Sequence, residues 1–508
     1  MEEDPTPIPS VGSRKHLITN EEGVITGEET SVDLGHTESG QVLGVMHLDK
    51  IIMCEVPNLG VKFTPSMAPN REITVNTQGS PTCYNRLLGP RDCIIYEHVR
   101  DKNKPPTAKA FLRAGPRPTL HFQPTEVRGA IVTCGGLCPG LNSVIHHLVH
   151  TMLLTYKADK VFGIRGGFAG FYDEETPAVE LTSEGVEFLQ HQPGSVLGSS
   201  RGGFDLDKII KFLVDNKVNQ LYIIGGDGTH RGALRIASEC MQRGLNISVT
   251  GIPKTIDNDL DIIDRSFGFL TAVESAQAAI QAAVTEAKCN LPNGIGVVKL
   301  MGRSAGYIAA YATMASGDVD LCLVPESPIV LDGPGGCLPH LMKRVEEKGY
   351  AVVVVAEGAG EELLGESTVK DASGNKRLPA IGKFMKVAIE EAFQTEGKLC
   401  NVKYIDPSYM IRSVKATAFD QIYCMQLAQN AVHGAMAGYT AFSAGVVNNR
   451  TVRQADDMSS DVHTSCSRNL VSISPMSATL RLLTRLPSML LFKRTRNCIE
   501  PPTKFART

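Results

Sequence analysis

The chain has 508 residues, of which 42% are hydrophobic and 21% charged, with a formal net charge of −3. So even a balance supplies no long-range field to gather nucleic acid or an anionic membrane, and neither is expected as a partner. Thirteen cysteines, odd in number and without a C-x-x-C pair, point away from a disulfide framework or zinc site and toward a reducing compartment.

The amino terminus, MEEDPTPIPS, is acidic and proline-bearing, unlike a secretory signal or a transit peptide, so a cytoplasmic location is expected. Residues 1–95 show no sustained periodicity and are rich in Pro, Gly, Thr and Asn, which reads as an irregular or partly disordered extension. From about residue 128 the character changes. Ala130 to Cys134 is a short β-branched run ending at Gly135-Gly136, and Leu141, Val144, Ile145, Leu148 and Met152 then fall on one helical face. Leu206, Ile209, Ile210, Leu213 and Val214 make a second helix face. Leu221–Ile224 is a strand running into Gly225-Gly226, followed by a helix through Ala233, Ile236, Ala237 and Cys240. Ile247–Ile252 is the next strand.

The second half repeats the scheme with strands at Ile295–Leu300, Asp320–Val324 and Ala351–Ala356, and alanine-rich helices near Thr271–Ala287 and Ala305–Ala315. Even the longest apolar run, Ala351 to Ala356, is too short to span a bilayer. Apolar strands alternating with amphipathic helices predict an α/β fold with a parallel sheet covered on both faces, and ligands at the carboxyl ends of the strands. From Thr451 the pattern breaks. The last stretch reads as a poorly ordered tail, with Leu482, Leu483, Leu486, Met489 and Leu490 outlining one short basic amphipathic helix.

Four polar, glycine-containing segments follow predicted strands: GGLCPGLN from Gly135, GGDGTHRG from Gly225, PKTIDND from Pro253 and MGRSAG from Met301. Any one alone reads as a tight turn; four at successive strand ends do not. The first sets backbone N–H groups at a helix N-terminus, where they can cradle a phosphate. Asp227 lies between glycines with no neighbouring side chain to cover it, as suits a Mg²⁺ ligand, although an Asx-turn would also use an aspartate there. Asp257 and Asp259 crowd two carboxylates into one loop. One is placed to take a proton from an attacking hydroxyl and the other to orient it, with a helix N-cap as the structural alternative. Arg303 supplies a planar fork for a transferring phosphoryl group.

These segments, together with LGSSRGG, VAEGAG and YIDPSYMIR in this order, resemble the plant-type 6-phosphofructokinase family over roughly residues 111–449. The resemblance implies two Rossmann-like lobes with mostly parallel sheets and the active site in the cleft between them. It divides the chain into a nucleotide-binding lobe (96–268 plus 411–450) and a sugar-phosphate lobe (269–410), followed by an atypical tail (451–508). The implied reaction moves a phosphoryl group from Mg-ATP to fructose 6-phosphate, and the implied assembly is a homo-oligomer, tetramer or dimer. Asp257 matches the general base, Thr255 and Asp259 its neighbours, Asp227 the residue that positions Mg²⁺, and Arg303 a contact to substrate and transferring group. Gly135, Arg201, Gly226, Gly228 and Thr229 match nucleotide contacts. Met301, Gly302, Glu357, Tyr409 and Arg412 match the sugar-phosphate pocket, and Lys403 a cation reaching across a subunit interface.

Donor choice falls on Gly228 and Lys254. Pyrophosphate-dependent relatives carry an aspartate at the first position and a lysine at the second, so the signature is mixed. Glycine at 228 leaves room for the α-phosphate of ATP, which makes ATP the expected donor and pyrophosphate the alternative. Phe168, where a tyrosine is usual, is a minor departure. The tail is a larger one, since TVRQADDMSSDVHTSCSRN is unlike the family's continuation; it keeps open a regulatory or truncated subunit without catalysis.

Overall fold

The structure is a computed structural model and describes residues 13–19, 25–32, 51–70, 87–89, 92–101, 104–260, 262–365 and 378–455. Two sheets organise it. The larger has ten strands, and its centre is parallel, running in spatial order Lys160–Ile164, Arg128–Thr133, Gln220–Gly225, Ser248–Pro253 and Phe442–Val447. Every residue of Gln220–Gly225 and Ser248–Pro253 is buried. This is why neither shows a polar-apolar alternation: helices cover the two faces, and buried polar residues such as Gln220 and Ser248 are hydrogen-bonded inside. The second sheet is entirely parallel, in the order Leu321–Leu323, Tyr350–Ala356, Gly294–Leu300, Asn401–Ile405. Two Rossmann-like lobes result, as the alternating pattern and the resemblance together implied.

Predicted helices and strands fall where the periodicity placed them. The helix Leu206–Asp215 begins at Asp205, whose side chain accepts from the Lys208 N–H, a capping contact that fixes its start. The long helix Phe269–Cys289 packs Ala272, Ala276, Ile280 and Ala283 into a core that is continuous from Ile131 and Val144 in one lobe to Val298 and Ile308 in the other. Its first turn is fastened to the helix Ala418–Met436. The buried Asp420 carboxylate accepts from both the Thr271 N–H (2.9 Å) and its hydroxyl (2.6 Å), and the Thr417 N–H donates to Thr271 Oγ1 (3.0 Å). Among the described residues, no helix is long and apolar enough to cross a membrane.

Two expectations need correction. Residues 1–95 are not irregular throughout: Ser13–Thr19 pairs with Ile25–Val32, and Ile51–Cys54 and Cys93–Asp101 both pair with Lys104–Arg113 in the large sheet. The pattern also does not break at Thr451. Arg450–Ala455 continues the sheet between Phe442–Val447 and Lys104–Arg113, with Val452 and Arg453 fully buried. Ile51–Cys54 and Arg450–Ala455 pair with partners far away in sequence, and strands of four and six residues are too short to show their period. The helix expected over Leu482–Leu490 lies outside the described residues.

Candidate active site

Each glycine-bearing segment sits just past the carboxyl end of a parallel strand, and together they line one cleft of about 860 Å³ between the lobes. Gly135, Arg201, Gly226, Asp227, Gly228, Thr229, Lys254, Thr255, Asp257 and Asp259 reach it from the first lobe. Met301, Arg303, Glu357, Tyr409 and Arg412 complete it. Two of the expected residues are not in its lining. Gly302 supports it from behind: its φ of +132° is a conformation that favours glycine, and its carbonyl accepts from the Gly358 N–H at 3.0 Å. Lys403 stands half-buried on the strand Asn401–Ile405 and does not line this cleft.

Gly135 and Gly136 turn over Lys254. The Gly135 N–H donates to the Ser200 carbonyl (2.9 Å), Ser199 Oγ donates to the Gly135 carbonyl (2.7 Å), and Lys254 Nζ donates to the Gly136 carbonyl (2.9 Å). Lys254 is only 7% exposed, and burial holds its ammonium below the ordinary lysine range. The lysine of PKTIDND is thus fixed under the glycine turn. Cys134 and Cys138 are buried beside it, and burial pushes the Cys134 thiol up to about 12, so both are core thiols.

Asp227 opens the helix Asp227–Gln242 with its side chain exposed to the cleft, Gly226 being the N-cap. No set of three or more His, Cys, Asp or Glu side chains among the described residues can hold a metal ion. A Mg²⁺ ion at Asp227 would therefore take its other ligands from phosphate and water, which is how this ion is usually bound beside a nucleotide.

The PKTIDND loop separates its two carboxylates into different tasks. Asn258 adopts a left-handed φ of +57°, and its side-chain oxygen accepts from the Ser266 N–H at 2.7 Å, while Ser266 Oγ donates to the Thr255 carbonyl. Thr255 Oγ1 donates to Asp259 Oδ1 at 2.6 Å and ties that carboxylate down. Asp257 keeps one oxygen facing the Arg303 N–H at 3.4 Å; the other, Oδ1, is buried with no hydrogen-bond partner among the described residues. Burial above all, then Asp259 and Glu357, pushes the Asp257 carboxyl up to about 7, against the opposing pull of Arg303. Just beyond the loop, Asp264 accepts from the N–H groups of Asn448 (3.0 Å) and Asn449 (2.7 Å), which pins the segment to the last hairpin of the sheet.

Sequence reasoning missed Lys299, Asp406 and the pair Arg231 and Arg235, which also line the cleft. Lys299 Nζ lies 2.8 Å from Asp406 Oδ2. Arg235 stacks over Phe204, 5.5 Å from its centroid. The signal that could have found Lys299 is a single cation within the apolar run GIGVVKL, where a stem can be buried but a bare charge cannot.

Two lobes, phosphate-type turns and a raised carboxylate beside an arginine define an enzyme of the phosphotransferase class. Residues 128–435 match the Phosphofructokinase family, and the chain belongs to it. Its relatives include ATP-dependent 6-phosphofructokinase 7 of Arabidopsis thaliana, 49% identical over 402 residues that cover 78% of this chain and 82% of the relative. The ATP-dependent 6-phosphofructokinase of Amycolatopsis methanolica is 46% identical over 363 residues, covering 70% and 78%. Among solved structures, a pyrophosphate-dependent phosphofructokinase from Marinobacter aquaeolei shares the fold at a TM-score of 0.57 and 22% identity, covering 66% of this chain and 86% of that one. Pichia pastoris phosphofructokinase in the T-state does so at 0.58 and 20%, covering 76% and 42%.

Proposed function

We propose that the protein is an ATP-dependent 6-phosphofructokinase that transfers the γ-phosphoryl group of ATP to the 1-hydroxyl of fructose 6-phosphate, giving fructose 1,6-bisphosphate and ADP. The observation that carries this reading is Asp257: a buried carboxylate in the cleft, one oxygen without a partner among the described residues, pushed up to about 7, and flanked by an arginine. It takes the proton of the 1-hydroxyl as the oxygen attacks phosphorus and the bond to ADP breaks. Arg303 neutralises charge on the transferring group. Thr255 and Asp259 hold the loop in register through their mutual hydrogen bond.

The lobe built on 96–268 and 411–450 receives the nucleotide through Gly135, Arg201 and Gly226 to Thr229. The lobe built on 269–410 receives the sugar phosphate through Met301, Gly302 and Glu357, with Tyr409 and Arg412 beside them. Mg²⁺ held at Asp227 would neutralise phosphate charge. ATP is favoured as donor because Gly228 leaves open space where a side chain would stand, and because Lys254 is engaged by the Gly136 carbonyl. Lys403 serves the site of a neighbouring subunit in a homo-oligomer, and the cytoplasm is the proposed location.

A coupled assay for fructose 1,6-bisphosphate with Mg²⁺ tests this by supplying ATP or pyrophosphate alone. Turnover with ATP and not with pyrophosphate is expected. Turnover with pyrophosphate alone reverses the donor, and turnover with neither, from folded protein, overturns the enzymatic reading.

A further inference from the structure

The strand Gly294–Leu300 is buried at every position except Lys299, which is half-buried. A lysine can occupy such a place only by burying its stem and finding a counter-charge for its ammonium. The counter-charge is Asp406, at the end of the adjacent parallel strand Asn401–Ile405, with Lys299 Nζ and Asp406 Oδ2 separated by 2.8 Å and the lysine side chain 17% exposed. Asp406 has a second task. Its Oδ1 accepts from the Ser408 N–H (3.2 Å) and from Ser408 Oγ (2.6 Å), at the start of the short helix Ser408–Arg412. That helix carries Tyr409 and Arg412 into the cleft, with the Arg412 guanidinium 4.7 Å from the Tyr409 ring centroid.

A five-residue helix has little stability of its own, because nucleating a turn costs more than its few hydrogen bonds return. Tyr409 is 73% exposed and contributes little packing to hold the helix. Ile411, at 1% exposure, anchors the helix in the core, which leaves the setting of its first turn, and so of Tyr409 and Arg412, to Asp406, itself held by Lys299. The charge of Lys299 also opposes the rise that burial imposes on the carboxyl of Glu357, just past the end of the other neighbouring strand, Tyr350–Ala356.

We propose that Lys299 is a positioning residue for the acceptor: through its ion pair with Asp406 it fixes the helix Ser408–Arg412, so that Tyr409 and Arg412 meet the phosphorylated sugar. The proposal rests on the assignment of fructose 6-phosphate to this cleft, and it concerns acceptor affinity rather than turnover.

The test is a double-mutant cycle on the full-length chain, with fructose 6-phosphate binding read by titration calorimetry, which requires no turnover. Lys299→Met and Asp406→Asn should each weaken fructose 6-phosphate binding by about tenfold to a hundredfold and leave ATP binding within about twofold. The double variant should be no weaker than either single one, because both changes withdraw the same pin. Lys299→Arg, which preserves the charge, should recover most of the affinity. Additive losses would overturn the proposal by showing that Lys299 contacts the sugar directly. Equal losses for ATP and fructose 6-phosphate would do so by showing a general loss of structure, and unaltered binding in Lys299→Met would do so outright. If the unmodified chain does not bind fructose 6-phosphate, the proposal fails; if it binds but does not turn over with ATP, only the enzymatic reading fails.

Discussion

A carboxylate that takes a proton from a sugar hydroxyl near neutral pH has to be a stronger base than an ordinary aspartate, which titrates near 4. Asp257 becomes one through burial, and its two acidic neighbours add to the effect. The working form is the ionised one, so kcat/KM should fall as pH drops through about 7, with a single-proton acid limb. The same shift acts on folding with a definite sign. A carboxyl raised above its unfolded value contributes stability that is fully present below about pH 4 and lost as pH rises through about 7. Asp257→Asn should therefore lower turnover by about a hundredfold to ten-thousandfold. It should also raise the Tm at pH 8 relative to the parent chain and lose that advantage at pH 4, which scanning calorimetry reads. A second prediction concerns Gly228. A Cβ there meets no heavy atom of the described residues within 4 Å, so Gly228→Asp should fold normally and place its carboxylate in the cleft. The KM for ATP should rise at least about tenfold, since like charges brought together cost several kcal/mol. Unchanged ATP kinetics would remove Gly228 from donor selection.

Between elements, the decisive joint is the meeting of two helix N-termini. Asp420 sits in the first turn of Ala418–Met436 and satisfies an orphan N–H of Phe269–Cys289, at 1% exposure. Asp420→Ala leaves that N–H and the Thr271 hydroxyl without this acceptor in a dry site and should cost about 2–4 kcal/mol in urea unfolding. A loss below about 0.5 kcal/mol would show that water replaces it. Elements of this kind were legible in the sequence to very different degrees. Buried parallel strands and one-faced helices announced themselves, because each satisfies its pattern alone. Ile51–Cys54 and Arg450–Ala455 did not, because only the fold supplies their partners. In the site, polar glycine turns interrupt apolar runs and stood out at once. Lys299 carried a signal, a lone cation in an apolar run, but its role stayed hidden because its counter-charge, Asp406, lies far along the chain. The separate tasks of Asp257 and Asp259 were legible in their crowding, but the hydrogen bond from Thr255 that ties Asp259 down needed the folded loop.

At the scale of the whole molecule, one core runs through both lobes, and the sheet of the first lobe is carried on past its parallel centre by an interior strand that buries an arginine. Arg453 is fully buried and donates to the Gly115 carbonyl at 2.7 Å, while its Nε and Nη1 have no partner among the described residues. It stacks 4.7 Å from the Tyr439 centroid, with Arg117 over the same ring at 5.9 Å. Burial and Arg117 press Arg453 below the ordinary guanidinium range. A guanidinium does not release its proton in proteins, so the cost is borne by the stability of the sheet. Arg453→Met should stabilise the chain by about 1–4 kcal/mol and raise the Tm by several degrees. A lower Tm would show that stacking and the Gly115 contact outweigh the buried charge.

Lys254 has a consequence for observing the molecule at work. Its amine is enclosed beneath the turn at Gly135 and Gly136 and bonded to a backbone carbonyl. An acylating reagent can meet that nitrogen only in the moments when the turn lifts. The labelling rate of this single lysine, followed by mass spectrometry, therefore keeps time for the opening of the phosphate turn, and any ligand that holds the turn shut will slow the clock.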